Sequence, residues 1–402
     1  MKVLLLTQVL PYPPDSGPKV KTWNVLKYLA RQHEVTLASF VRGDQSAEVE
    51  VLRRYCRAVH TVPMTRSPSL DGLALLRSLA TGRPWMMVRD DRAVMRRLVD
   101  RLRTETHFSI VHADQLNMAQ YAMRVPGARK VLDAHNALWL LYKRLAETMP
   151  FGPRRWLLER DWRLLKEYEG RRVREFDAVL AVSDEDRAAL IEAAGQPRDI
   201  TVIPIAVDTD EIPVVRRTPQ ANHLLHIGTM YWPPNIDGMR WFIKEVYPLI
   251  RAQRSDVALD VVGARPPQEL AALNRNGQNI NVTGYVKDPQ PYLERAGVFI
   301  VPLRAGGGMR VKILEALARG LPLVTTTLGC EGIAVEHGRH VLIADTPEAF
   351  ARETLRLLND RALADELGRA GRRLIEEVYD YRAACRPLHS LYEAAHVPAL
   401  TN

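Results

Sequence analysis

The sequence predicts an α/β fold built of two doubly wound halves, on three observations. Short apolar runs rich in Val, Ile and Leu recur along the chain, amphipathic stretches of helical length separate them, and a segment of prolines and charges divides the 402 residues near the middle. Runs of four to eight apolar residues without polar alternation suit strands covered on both faces, as in parallel sheets. A βαβα rhythm then builds open parallel sheets with helices on either side. At roughly 150 residues per domain the length fits two domains.

In order, the first-half runs are Val3–Val9, Val35–Phe40, Ile110–Ala113, Lys130–Ala134, Ala178–Val182 and Ile200–Ile205. Those of the second half are His223–Gly228, Ala258–Gly263, Ile280–Val286, Val298–Leu303, Leu321–Thr327 and His340–Ala344. Helical periodicity fills the gaps, for example over Val311–Arg319. The stretch Ala206–Asn222 reads AVDTDEIPVVRRTPQAN and is expected to be a linker. It separates a first domain over 1–205 from a second over 223–380. In open α/β sheets ligands bind beyond the carboxyl ends of the strands, so the loops there are the places to search.

Composition narrows the class. Apolar residues make up 47% and charged residues 26%, which excludes collagen-like and broadly disordered chains. Cys56, Cys330 and Cys385 form no CxxC, and three cysteines cannot all pair. They suit a reducing cytoplasm, as buried thiols. No stretch reaches 18 consecutive apolar residues, so no transmembrane helix is expected. The opening MKVLLLTQVLPYPPDSG has no small-residue cleavage site and reads as a first buried strand. Net charge is +9, and residues 1–205 hold 33 Lys and Arg against 24 Asp and Glu, while the remainder is balanced at 23 of each. An anionic partner or surface is therefore expected at the first half only.

The richest segment is Arg304 to Gly320, RAGGGMRVKILEALARG, which follows an apolar run and opens a helix. Gly306, Gly307 and Gly308 let backbone approach a ligand without a Cβ in the way. The helix start offers unpaired N–H groups and the positive dipole end, a cradle for a diphosphate. Arg310 and Lys312 would add full charges against a leaving diphosphate, and Glu315 would accept hydrogen bonds from ribose hydroxyls. The same spacing of Lys312, Glu315 and Arg319 also describes ion pairs on a solvated helix face. The segment is no P-loop, since no Gly-Lys-Ser/Thr follows.

RVKILEALARGLPLVTTTLGCEGI resembles the donor-binding signature of the family 4 glycosyltransferases, whose fold is GT-B: two Rossmann-like domains facing across a cleft. The likeness extends through HIGTMYWPPNIDGMRWFIKEVYPLI, ALDVVGARP, VTGYVKDPQPYLERAGVFIVPLRAGGGMR and HVLIADTPEAFA, and its nearest flavour is that of bacterial exopolysaccharide-type sugar transferases. The resemblance makes Glu315 the second Glu of a Glu-x7-Glu pattern, the one that binds ribose. It places Gly307 where the first Glu would contact the transferred sugar. After Gly228 the chain reads Thr-Met-Tyr-Trp-Pro-Pro rather than offering the Arg and Lys that clamp the diphosphate in many members, so Arg310 and Lys312 are assigned that task. Gly228, Arg265, Val286, Gly306–Gly308 and Met309 become donor-binding candidates, and residues 381–402 are expected to return as a helix to the first domain.

In the first half, Asp15-Ser16-Gly17-Pro18 follows the first run and precedes a helix beginning near Lys19. Glycine then proline make an anion-compatible helix start or an ordinary βα turn, and the resemblance places Gly17 beside the donor phosphate. Asp133-Ala-His135-Asn136 ends a strand, and the resemblance carries to His135 a role near the reacting sugar, as a hydrogen-bonding positioner; His112 is its competitor. Asp208-Thr-Asp210 imitates a metal signature but lies in the linker, where a turn is the better reading. No other cluster has metal-ligand spacing, so neither metal nor cofactor is expected.

Basic residues concentrate around Trp85-Met86-Met87 (Arg83, Arg89, Arg92, Arg96, Arg97, Arg101, Arg103) and around Trp156 and Trp162 (Arg154, Arg155, Arg160, Arg163, Lys166). They suit either an anionic membrane surface or solvated helix faces, and no motif accompanies them that would indicate nucleic acid. The expected activity is transfer of a sugar from a nucleotide-diphosphate sugar to a hydroxyl of a glycan, glycolipid or small-molecule acceptor. Anomeric retention is implied by the resemblance, and the expected location is the cytoplasm, including peripherally at the inner membrane face. The rivals are a sugar-nucleotide epimerase of the same fold and a non-catalytic sugar-nucleotide-binding protein.

Overall fold

The computed structural model describes residues 1–275, 277, 279–306 and 308–393. The chain divides into two compact units, Met1–Ile205 together with the chain from Ala384 onward, and Ala206–Ala383.

The first unit holds seven strands, β1 (Lys2–Thr7), β2 (Glu34–Val41), β3 (Ala58–Pro63), β4 (Ile110–Asp114), β5 (Arg129–Asp133), β6 (Ala178–Ala181) and β7 (Thr201–Val202). They form one parallel sheet in the order β3-β2-β1-β4-β5-β6-β7. Alternate residues of β1 feed two layers. Leu4 and Leu6 pack with Phe40, Val111, Met118 and Tyr121 on one face. Val3 and Leu5 pack with Trp23, Leu26 and Leu37 on the other. Because both faces are covered, β1 is apolar without alternation from Val3 to Leu6.

The second unit holds β8 (His223–Ile227), β9 (Ala258–Val262), β10 (Ile280–Gly284), β11 (Ala296–Val301), β12 (Leu323–Thr325) and β13 (Leu342–Ile343). These six are also parallel, in the order β10-β9-β8-β11-β12-β13. Both sheets repeat one winding: strands run outward from the first, then reverse beside it. The reversal falls between β1 and β4 in one unit and between β8 and β11 in the other, and that is where an open α/β sheet leaves a crevice for ligand.

The 206–222 stretch, expected as a linker, is laid along the second unit. The Val207 N–H donates to the Tyr379 carbonyl at 2.8 Å and that of Val215 to Arg319 at 2.9 Å. Asp208-Thr-Asp210 is a turn: the Asp210 N–H donates to Asp208 Oδ1 at 3.0 Å, and Arg382 pairs with Asp210 and Asp380. After Ala383 the chain rejoins the first unit, where Leu388 and Tyr392 of the Pro387–Glu393 helix enter the layer around Trp23. All three cysteines are buried, and none is in a disulfide. Among the described residues no helix is long and apolar enough to cross a membrane.

Candidate active site

In the second unit the site grows from the loops after β8 and β11. The helix Val311–Ala318 begins at Arg310 in an extended conformation with no side-chain cap, so its first N–H groups keep their donor capacity. It ends where Gly320 turns left-handed at φ +70°, a conformation glycine adopts freely. Ahead of it, Gly306 (φ +104°) and Gly308 (φ +80°) take left-handed conformations that L side chains rarely adopt. Gly307 lies outside the described residues. Arg310 folds over this loop, its Nη1 donating to the Gly308 carbonyl.

Lys312 is the centre of the arrangement. Its ammonium donates to Asn235 Oδ1 at 2.8 Å, and Asn235 in turn donates to the Thr229 carbonyl at 2.9 Å. The lysine is thereby buckled beneath the loop that follows β8. A Cβ on Gly228 would stand 2.6 Å from Lys312 Nζ, 3.0 Å from Asn235 Nδ2 and 3.2 Å from His226 Nε2. Three polar atoms thus converge where glycine leaves room. His226 is fully buried and its Nδ1 meets the Ile300 carbonyl at 3.0 Å. A carbonyl only accepts, so that nitrogen carries the proton and Nε2 presents a lone pair. Burial and then Lys312 push the imidazole pKa down to about 3, keeping it neutral. Lys312 as a residue keeps some solvent access, yet protein packs closely around its ammonium. Burial, reinforced by Arg310, lowers its pKa to about 7. No carboxylate pairs with Lys312 among the described residues.

Glu315, one turn along, stays reachable: its side chain is 43% exposed and its carboxylate lies 3.7 Å from Arg319. Met309, expected at the donor, is buried at 8% exposure. The other face of the crevice is aromatic. Arg265, at φ +55°, stacks its guanidinium 3.9 Å from the Tyr231 ring centroid. Tyr231, Trp232 and Tyr285 are exposed. They follow β8 and β10, with Val286 half-buried beside Tyr285. The ladder continues past these strand ends through Gly228 N–H to the Val262 carbonyl and Gly263 N–H to the Gly284 carbonyl, both at 3.0 Å. The three loops are thus held side by side.

In the first unit, the helix Gly17–Ala30 starts two residues earlier than expected, because Pro18 in its first turn needs no hydrogen-bond acceptor. Gly17 lies at its start. Below it runs a buried polar chain that sequence reasoning did not assemble. Lys21, 1% exposed, pairs with the fully buried Asp133 at the end of β5. His112 of β4 places Nε2 3.6 Å from Asp133 Oδ2, and its Nδ1 shares a 2.6 Å hydrogen bond with Tyr392 Oη. Burial opposes charge on Asp133, but Lys21, with the two histidines, holds the carboxyl well below the usual range. Thr22 donates to Asp114 Oδ1 at 2.8 Å, and His135 Nε2 lies 2.9 Å from that same oxygen, off the line of a hydrogen bond. His135 is 7% exposed with neither ring nitrogen hydrogen-bonded, whereas His112 is sealed within the unit. Asp114, Asp133 and His135 offer ligand atoms within 4.8 Å of one another, but the cation present is the Lys21 ammonium.

In the first basic cluster Arg89 pairs with buried Asp90, Arg83 and Arg96 with Asp91, and Arg103 with Asp100, while Met87 is core. Arg97 and Arg101 are exposed.

Comparisons with known proteins bear on the fold and the family. Residues 16–211 match the model described as Glycosyltransferase Family 4, and residues 221–360 match Glycosyl transferases group 1. An uncharacterized 44.6 kDa protein of the cps region of Klebsiella pneumoniae is 21% identical over 395 residues, covering 94% of this chain and 96% of that one. The capsular polysaccharide biosynthesis glycosyltransferase CapM of Staphylococcus aureus is 28% identical over 116 residues, 28% of this chain and 30% of CapM. HepE of Anabaena, in complex with UDP, superposes with a TM-score of 0.67 at 15% identity, over 98% of this chain and all of HepE. A glycosyltransferase of Rickettsia africae gives 0.69 at 15%, over 99% of each chain. Two parallel doubly wound sheets and family models matching successive parts of the chain lead to one conclusion: the chain belongs to the family 4, group 1 glycosyltransferases, with the GT-B fold.

Proposed function

We propose that this enzyme transfers a sugar from a nucleotide-diphosphate sugar to a hydroxyl of a glycan or glycolipid intermediate, with retention at the anomeric carbon. One observation carries the donor reading. Lys312 and Arg310 stand together at an uncapped helix start, and Lys312 has no carboxylate partner among the described residues. A buried ammonium without a matching carboxylate, at a helix start, is a site for an anion.

In this reading the diphosphate lies over Gly306 and Gly308, Arg310 and Lys312 neutralise the charge that develops as it departs, and Glu315 accepts from the ribose hydroxyls. The base rests against Tyr231, Arg265 and the Tyr285-Val286 loop. UDP is the nucleotide of choice, since HepE binds UDP and UDP-glucose. In the first unit His135, beside Asp114, orients the acceptor side. Lysine and arginine supply the charge that a metal would otherwise bring, so turnover is expected to survive chelation by EDTA. Buried cysteines outside any disulfide favour a reducing compartment, the cytoplasmic side of a membrane.

A thermal-shift series over nucleoside diphosphates and their sugars tests the reading. Ligand at 100 times its Kd adds about 2.7 kcal/mol to stability, so UDP is expected to raise Tm clearly. No shift with any nucleoside diphosphate defeats the donor assignment. Release of UDP that depends on an acceptor separates transfer from epimerisation, which needs none, and from mere binding, which releases nothing.

A further inference from the structure

The helix Pro68–Thr81 is built inside out. Its buried residues are Ala74 and Ser78, while Leu70, Leu73, Leu76 and Leu79 face outward, Leu73 at 63% and Leu76 at 65% exposure. A helix on a soluble protein puts its leucines inward, and a contiguous exposed apolar face marks a contact surface. A second apolar projection stands at the turn between the helices Leu138–Thr148 and Pro153–Glu175, where Phe151 is 96% and Trp156 61% exposed.

The two projections belong to one body. Arg160, one turn beyond Trp156, donates to the Ser78 carbonyl at 2.7 Å. Trp85 donates through Nε1 to the Asp71 carbonyl at 3.2 Å and through its backbone to Asp161 Oδ1 at 2.8 Å. Charge decides among occupants. Residues 138–175 hold ten Lys and Arg against six Asp and Glu. Arg77 and Arg154 are exposed beside the apolar groups, and neither meets a carboxylate among the described residues. Leucines, an aromatic apex and guanidinium groups on one unit match the hydrocarbon edge, interface and headgroups of an anionic bilayer.

We propose that the outward leucine face of the Pro68–Thr81 helix and the Phe151–Trp156 apex dock this enzyme on an anionic lipid bilayer. The proposal extends the reading of the acceptor as a glycolipid, because docking brings the first unit to a substrate embedded in the membrane. It stands on surface residues alone and does not depend on the donor assignment.

The experiment is sedimentation of the full chain with vesicles of phosphatidylcholine, with and without phosphatidylglycerol. Wild type is expected to pellet with the phosphatidylglycerol vesicles and to be released by high salt. Leu73→Ser/Leu76→Ser and, independently, Phe151→Ser/Trp156→Ser are expected to lower partitioning about tenfold or more, with Tm little changed because these side chains are exposed. Should the leucine variant fold poorly, Arg77→Glu/Arg154→Glu reads the same surface through its charge. Wild type remaining in the supernatant, or variants pelleting like wild type, overturns the proposal. So does light scattering that shows a dimer dissolved by Leu73→Ser/Leu76→Ser, which would make the face a contact between copies. UDP thermal shifts run in parallel keep failure of docking separate from failure of the donor reading.

Discussion

Lys312 shows how one residue combines burial and function. In the empty protein its ammonium deprotonates near about 7, because burial and the Arg310 guanidinium both disfavour charge. A diphosphate beside it favours the charged form, so above that pH binding must take up a proton. UDP affinity is therefore expected to weaken as pH rises past 7, by up to about tenfold per pH unit. Titration calorimetry in buffers of different ionisation enthalpy measures that uptake. In Lys312→Met the uptake should vanish and affinity at pH 6 should fall about tenfold or more, ~1.4 kcal/mol; a slope unchanged by the substitution removes Lys312 from the site. His135 makes the complementary case. Buried at 7% exposure but with its ring nitrogens unbonded, it has hydrogen-bonding capacity left for a substrate. His135→Ala should lower kcat at least tenfold while UDP affinity stays within about twofold; equal losses in both contradict a role on the acceptor side. The motif alone displayed Arg310, Lys312 and Glu315. It could not display Asn235, His226 or Lys21, because their meaning arises only when residues distant in sequence converge: 77 positions separate Lys312 from Asn235, and 112 separate Lys21 from Asp133.

At the scale of elements, legibility followed burial. The apolar runs return as β1, β2, β4, β5 and β6, then β8 to β13, most of them buried on both faces, although β10 and β13 are partly buried edges. The strand that sequence reading omitted is β3, the edge of its sheet, where Val62 is the one buried residue among Ala58–Pro63. An edge strand covered on one side lacks the continuous apolar signature. The 200–205 run shrank to the two residues of β7 for the same reason, at the opposite edge. Glycines at strand ends were visible as letters but their reasons were not. A Cβ on Gly263 would fall 1.7 Å from the Gly228 carbonyl oxygen, a collision with backbone that no rotamer change relieves. Gly263→Ala must therefore push apart the loops after β8 and β9, the floor of the candidate donor site. The expectation is a loss of about 2 kcal/mol or more in urea unfolding, together with loss of UDP binding. An alanine variant of wild-type stability would show that the loops do not meet this closely.

For the whole molecule, the chain's path matters most where it closes on itself. The polypeptide completes the first unit's sheet, builds the second unit, and then returns to the first, so that Tyr392 reaches His112 across 280 positions. No local pattern could forecast this bond, although a returning terminal helix was expected from the family likeness. Tyr392 is fully buried, stacks on His33 at 5.4 Å between ring centroids, and bonds His112 Nδ1 at 2.6 Å. His112 then faces Asp133, which the buried Lys21 holds ionised. The sequence position of Asp133, two before His135, ties this chain to the candidate acceptor residue. Two effects of the terminal helix can be told apart by substitution. Tyr392→Phe keeps the ring and its packing but deletes the hydroxyl, leaving His112 Nδ1 buried without a partner; the expected loss is about 1–3 kcal/mol in urea unfolding. Lys21→Met leaves the Asp133 carboxylate buried without its cation, for which about 3–5 kcal/mol is the expected penalty. Lys21→Met/Asp133→Leu should recover much of it, since a hydrophobic pair of similar volume tolerates burial better than a lone charge. If the double variant is as unstable as Lys21→Met alone, the ion pair is not what costs Lys21→Met its stability. If it is stable and still binds UDP but turns over poorly, the buried pair is retained for holding His135 in place, and not for holding the unit together.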